Sequence, residues 1–189
     1  MSHFSRPDSS YYLFLEQCDK DSLVAMQLVG CIHCSGVLDL ANYKRKARAF
    51  KNQQLEPMLR YSLCCRSEGC RKRHAPPSVR FMGRKVFLSF FILLASSLPA
   101  AKAEVSCERL ARDLGVSRFT LKRWLLLWRE RFFNSSFWRR SRGCFSPCFP
   151  KELIPESLLG AFKCGDDFNV ENWVKLLLFI APFAADCSQ

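Results

Sequence analysis

Cys31 and Cys34 (CIHC) and Cys65 and Cys70 (CRSEGC) form two short pairs about thirty residues apart. Thiolates in that arrangement bind a metal. Each pair can wrap one side of a tetrahedral ion, and the intervening chain brings the second pair to the other side. A shell of four thiolates leaves no position for an activated water, so the expected cofactor is a structural zinc. A module this small buries little core, and metal binding would then supply much of its folding free energy.

Adjacent Cys64 and Cys65 compete for one ligand position. If the segment is a strand, Tyr61, Leu63 and Cys65 share a face and Ser62 and Cys64 the other. That alternation favours Cys65, with Cys64 the alternative. His33 lies inside the first pair and His74 just past the second; either could substitute as a ligand, but four thiolates already complete the shell, and both are expected to be solvated polar residues. Cys144 and Cys148 (CFSPC) have no obvious partner pair.

Charge says what such a module would hold. The chain of 189 residues has a net charge of +12, placed unevenly. From Lys44 to Arg142 there are 24 Lys and Arg against 6 Asp and Glu, while the flanks hold 5 against 11. A concentrated positive field suits a polyanion, because neutralised phosphates release their counterions. Arg71, Lys72 and Arg73 directly follow the second cysteine pair.

The elements that must position these groups follow from pattern. Residues 1–30 are a lead-in whose apolar stretch Leu23–Val29 reads as a strand entering the cysteine module of residues 31–75. Ala75, Pro76 and Pro77 form a stiff connector. Residues 79–133 read as three helices, about Lys85–Leu98, Cys107–Leu114 and Arg118–Phe133. Residues 134–155 carry Gly143, Pro147, Pro150 and Pro155 and read as a loop. Helices near Glu156–Phe162 and Val170–Ile180 belong to a C-terminal segment, 156–189. The fold class expected is mainly α with a small β zinc ribbon, followed by a trihelical helix-turn-helix domain and a C-terminal helical segment.

Within CERLARDLGVSRFTLKRWLLL, small Ala111 sits where two helices cross and Gly115 supplies a left-handed turn. Leu110, Leu114 and Val116 are expected to bury against the next helix, which Ser117 is placed to cap. Leu121, Trp124, Leu125, Trp128 and Phe132 make its core stripe. Arg118, Phe119, Thr120, Lys122 and Arg123 project from its first two turns, the part of a recognition helix that enters the major groove. Arg129, Arg131, Arg139, Arg140 and Arg142 are expected at phosphates.

In this order, a CxxC pair, a basic excursion, a second pair with Arg-Lys-Arg behind it, PPSVRFMGRKV and RLARDLGVSRFTLKRW, the chain resembles the zinc-ribbon and helix-turn-helix modules of bacterial insertion-sequence transposases and their short stand-alone relatives. The resemblance spans about Cys31–Phe133. It implies binding of double-stranded DNA at element ends or an operator, with Cys31, Cys34, Cys65 and Cys70 as metal positions. Full transposases of this kind continue into an RNase H-like domain with three metal-binding carboxylates, for which the residues after Phe133 leave no room.

The function expected is therefore a non-enzymatic DNA-binding accessory protein or regulator of a mobile element. A recombinase or transposase and a second copy of the chain are further partner candidates. A nuclease or transposase remnant would need a carboxylate cluster; Asp166, Asp167 and Glu171 sit within six residues of one another but look like a solvated helix start. A protein-interaction adaptor would use Leu176–Phe183 (LLLFIAPF), which reads rather as domain core. RNA is not distinguished from DNA by the basic module alone.

The apolar run Val86–Ala101 is 16 residues, short of the roughly 20 that span a bilayer. Met1–Ser10 is polar, without the apolar region of a signal peptide. The expected location is cytoplasmic and nucleoid-associated, where clustered cysteines bind metal more often than they pair.

Overall fold

The computed structural model describes residues 9–48, 55–83, 87–101, 107–164 and 169–186. They are mainly helical with a small antiparallel sheet, and the chain divides into two compact bodies. The first comprises residues 6–48, 54–88 and 180–189; the second comprises Ser89–Phe179 with two short segments outside the described residues.

The first body opens with helix α1 (Ser9–Val29). The expectation of a strand over Leu23–Val29 is corrected here, for those residues are the last turns of α1. The reason is spacing: Tyr11, Leu15, Asp19 and Leu23 are buried at every fourth position, one face of a helix. Gly30, at φ +81°, ends it, donating its N–H to the Met26 carbonyl (3.2 Å).

Strands β1 (Leu38–Leu40), β2 (Tyr43–Arg45), β3 (Met58–Arg60), β4 (Leu63–Cys65) and β5 (Arg73–His74) follow. One sheet has the order β1-β4-β5, and β2 pairs with β3 separately. Both ladders keep one register: Leu38 faces Cys65, Leu40 faces Leu63, Tyr43 faces Arg60 and Arg45 faces Met58. They are two ends of a single hairpin. Its ladder is interrupted where the Asn42 side chain accepts the Ser62 N–H (3.0 Å), while Ala41 still donates to the Ser62 carbonyl (2.8 Å).

A buried ionic cluster fastens α1 to the segment after the hairpin. Asp19, 1% exposed, accepts from the Ser78 hydroxyl (2.7 Å), the Val79 N–H (2.8 Å) and the Arg80 guanidinium (2.8 Å). Arg80, 2% exposed, also donates to the Leu59 carbonyl of β3 (2.9 Å) and lies over the Tyr61 ring. Arg60, also buried, donates to the carbonyls of Tyr61 and Pro76.

Nearby, the Tyr61 hydroxyl donates to Glu16 (2.6 Å). That bond holds the Glu16 carboxyl below its ordinary value of 4.5, and burial followed by the Glu16 carboxylate pushes Tyr61 up to about 12. A lowered carboxyl contributes stability above its unfolded value and loses it as pH falls through the folded one. A raised phenol contributes below its unfolded value near 10 and loses it as pH rises towards about 12. Tyr61→Phe should therefore lower the urea midpoint between about pH 5 and 10 and make progressively less difference in acid. A pH-independent offset would show that the bond adds nothing.

The second body begins with α2 (Ser89–Ala101), α3 (Cys107–Leu114) and α4 (Arg118–Leu126). The first helix therefore starts four residues after the expected Lys85, a position outside the described residues. Gly115 at φ +69° ends α3: the N–H groups of Gly115 and Val116 return to the carbonyls of Arg112 (3.2 Å) and Ala111 (2.9 Å). Ser117 then caps α4, its hydroxyl accepting the Thr120 N–H (3.1 Å). The next turns, Leu127–Phe132, widen into a π-helix, which moves Leu127 into the core beside Trp128 and Phe132 and leaves Leu125 half-buried.

Residues 134–155, expected as a loop, contain helix α5 (Ser136–Ser141) and single 3₁₀ turns at Arg142–Cys144 and Lys151–Leu153. Ser135 caps α5 through the Trp138 N–H (3.0 Å), and Phe137 and Trp138 are buried. The prolines fall after α5, not inside it. Helices α6 (Glu156–Ala161) and α7 (Val170–Asp186) complete the chain, Leu176 and Leu177 of α7 being buried and Leu178 exposed. Among the described residues, no helix is long and apolar enough to cross a membrane.

Candidate metal centre

The thiol groups of Cys31, Cys34, Cys65 and Cys70 lie within 4.8 Å of one another. Two short turns carry them. In the first, Gly30 hands the chain from α1 to Cys31, whose N–H bonds the Gly36 carbonyl (2.9 Å) and whose carbonyl takes the Ser35 N–H (2.7 Å). In the second, the Cys70 and Arg71 N–H groups both return to the Ser67 carbonyl (2.9 and 3.0 Å). Each turn ends on a left-handed residue directly after its second cysteine, Ser35 at φ +56° and Arg71 at φ +45°. A non-glycine residue in that region costs roughly 1–3 kcal/mol, so both turns are held by their surroundings.

The sulfur spacing fits an ion. Bonds of about 2.3 Å from a tetrahedral zinc set the sulfurs about 3.8 Å apart. Cys31 and Cys70 are 3.7 Å apart, Cys34 and Cys65 3.4 Å. All four thiols are free of disulfides. Their proton affinities are divided: the Gly36 N–H, then the Cys65 thiol, lower Cys34. Cys70 receives the Lys72 N–H, which lowers it, yet burial and the neighbouring thiols together raise it to about 11. A metal that takes four thiolates must therefore displace protons.

Cys65 is fully buried opposite Leu38, in a small core of Leu23, Cys31, Leu38, Tyr61 and Leu63. Cys64 points away, its thiol directed at the Arg71 carbonyl (3.5 Å).

Two further residues complete the site, one set aside in the sequence as solvated and one, Gly36, not singled out there. His74, expected to be solvated, is 6% exposed on β5 with Nε2 3.3 Å from the Cys31 sulfur. Burial first, then the charges of His33 and Lys72, lowers its pKa, and Nε2 is within reach of a hydrogen bond to the Cys31 sulfur. Ligand spacing alone gives no sign of this, because β5 reaches the site through its pairing with β4. Gly36 is the other: a methyl there would sit 3.2 Å from the Cys34 sulfur and 3.3 Å from that of Cys65, and would strike the Ser67 hydroxyl. His33 itself is exposed, with the Lys72 ammonium 3.5 Å from Nδ1.

Arg71, Lys72 and Arg73 are all exposed behind the second turn, Arg73 over the Tyr43 ring at 5.8 Å. In the other body Ser117 is the cap of α4, and Arg118, Phe119, Lys122 and Arg123 are exposed on its first two turns, with Thr120 half-buried. Arg118 pairs with Glu108 of α3 (3.0 Å) and lies over the Phe119 ring. Ala111, Leu121 and Trp124 are buried beneath them, Leu114 and Val116 are half-buried, and the Leu110 side chain lies outside the described residues.

Glu171 is committed to Lys175 (2.6 Å), while Asp166 and Asp167 lie outside the described residues. Cys144 and Cys148 are exposed, and no second group of three metal-ligating residues occurs among the described residues. Compared with known proteins, the chain matches no family model, no curated protein and no solved structure.

Proposed function

We propose that this chain is a non-enzymatic, double-stranded DNA-binding protein in which a zinc ribbon and a helix-turn-helix act together, serving as an accessory protein or regulator of a mobile element. The observation that carries the reading is the surface of α4. A helix fixed by a glycine turn before it and a serine cap at its start exposes Arg118, Phe119, Lys122 and Arg123 on its first two turns and buries Leu121 and Trp124 opposite. Such a helix can lie in a major groove with its arginines on guanine O6 and N7. Arg118 would exchange Glu108 for DNA readily, since an exposed ion pair contributes at most about 1 kcal/mol.

The four thiolates supply the ion's whole shell, and a tetrahedral sulfur site suits zinc. Zinc would hold the turn that carries Arg71, Lys72 and Arg73, which contact phosphates without reading sequence. The association with mobile elements rests on the order of the segments, which resembles transposase modules.

The test is anisotropy titration of a duplex selected from a random pool. Lys122→Ala and Arg123→Ala should each weaken binding about tenfold and relax sequence preference. Neutralising Arg71, Lys72 and Arg73 should instead weaken all duplexes alike and flatten the salt dependence, each phosphate contact being worth a slope of about 0.9. Binding unchanged by Arg123→Ala and Lys122→Ala together would remove α4 as the reading helix.

A further inference from the structure

The second body holds a groove of about 830 Å³ whose aromatic rings have no part in the roles above, although two of its cations, Arg139 and Arg142, are also expected at duplex phosphates. Trp138 of α5, Phe145 and Phe149 line it together with Arg139, Arg142 and Lys151. The three rings form one cluster: Phe145 and Phe149 have centroids 4.6 Å apart, and Trp138 lies 5.7 and 6.1 Å from them. Trp138 is the buried floor, and both phenylalanines are half-exposed. All three cations are exposed and form no ion pair among the described residues, and the lining holds a single carboxylate, Glu152.

Aromatic faces and uncommitted cations together define the occupant. An apolar peptide would use the rings but not the charges, and an inorganic anion the charges but not the rings. A duplex offers phosphates, but its bases are stacked on one another and closed to a protein ring. Unpaired nucleotides satisfy both sets of groups, bases packing on the exposed parts of Phe145 and Phe149 while phosphates meet a guanidinium or ammonium. The volume is within the range of about 300–1,000 Å³ typical of pockets for compact ligands.

We infer that this groove binds unpaired bases of a single-stranded nucleic acid. The site stands apart from the duplex-reading face of α4 and does not depend on it. It would suit a protein acting where a duplex is opened or ends in a single strand.

The full-length chain should bind fluorescein-labelled oligo(dT) of about ten nucleotides. Replacing both Phe145 and Phe149 by Leu keeps apolar bulk but removes the π faces, and should weaken that binding about tenfold while duplex affinity stays unchanged; the lost ring contacts should lower the thermal midpoint, so binding is measured well below it. Arg139→Gln, Arg142→Gln and Lys151→Gln combined should lower the salt slope on oligo(dT) by about 2, at roughly 0.7 per contact. Oligo(dU) and oligo(U), which differ only in the 2′-hydroxyl, separate the sources: equal binding assigns the base and phosphate alone, and a preference names the sugar read. Failure to bind either oligomer, leucine variants that bind as tightly as the unaltered chain, or equal losses on duplex and single strand would each overturn the assignment. Persistence of single-strand binding in Arg123→Ala separates this site from the α4 reading.

Discussion

Cys65→Ser is expected to leave the purified chain without metal and to unfold the three-stranded sheet, while Cys64→Ser retains both. The two cysteines are neighbours on β4, but only Cys65 enters the cluster, 3.4 Å from Cys34 and fully buried. Serine there offers a hydroxyl where the ion requires a thiolate. The loss in affinity should exceed the roughly 10–100-fold that accompanies removal of an outer-shell partner. Folding follows because two of the six residues in the small core of this sheet, Cys31 and Cys65, are themselves cluster residues. Structural zinc in small peptides contributes about 10–16 kcal/mol of apparent binding free energy near neutral pH. Elemental analysis and a circular-dichroism melt read both outcomes. Full metal content in Cys65→Ser, or its loss in Cys64→Ser, would reverse the ligand assignment.

Asp19→Ala should destabilise the first body by about 3–5 kcal/mol, the range for breaking a buried ion pair from one side. Arg80 would remain 2% exposed with its main counter-charge gone, and the Ser78 hydroxyl and Val79 N–H would lose their acceptor. Glu16, 3.8 Å from Arg80 and itself part-exposed, is too distant to replace it fully. A loss of that size is a large fraction of the 5–15 kcal/mol that keeps ordinary domains folded. Asp19→Asn, which keeps an acceptor oxygen, should lose less. Asp19→Leu with Arg80→Met, which removes both charges, should recover stability relative to Asp19→Ala. Urea denaturation of zinc-loaded protein measures all three. A shift below about 1 kcal/mol for Asp19→Ala would mean that Arg80 finds water or another partner at little cost.

The same two clusters show what could be read from the sequence. The cysteines were legible because ligand spacing is a local property, and period-two alternation was enough to favour Cys65. Helix α1 was not, because its buried stripe runs Tyr11, Leu15, Asp19, Leu23 and so contains an aspartate, while Leu13, Phe14, Val24 and Leu28 are exposed. The charge that interrupts the apolar pattern becomes intelligible only with Arg80, 61 residues on, beside it. His74 and Gly36 were hidden similarly, since their roles depend on which atoms face them across strands or turns. Helix α5 did leave a local signal: Ser135 three residues before Trp138 is a cap preceding apolar residues, outweighed in the reading by the prolines downstream.

The shared register of the two ladders bears on how this hairpin avoids folding wrongly. A slip of one residue would set Cys64 opposite Leu38, so a misaligned hairpin would still present a thiol to an incoming ion. Metal capture by itself therefore does not discriminate between alignments. Selection falls to the rest of β4: the slip would turn Leu63 and Tyr61 out to solvent and break the Asn42 bond to Ser62. The alignment of this hairpin is therefore specified by Leu63, Tyr61 and Ser62, and not by the thiols.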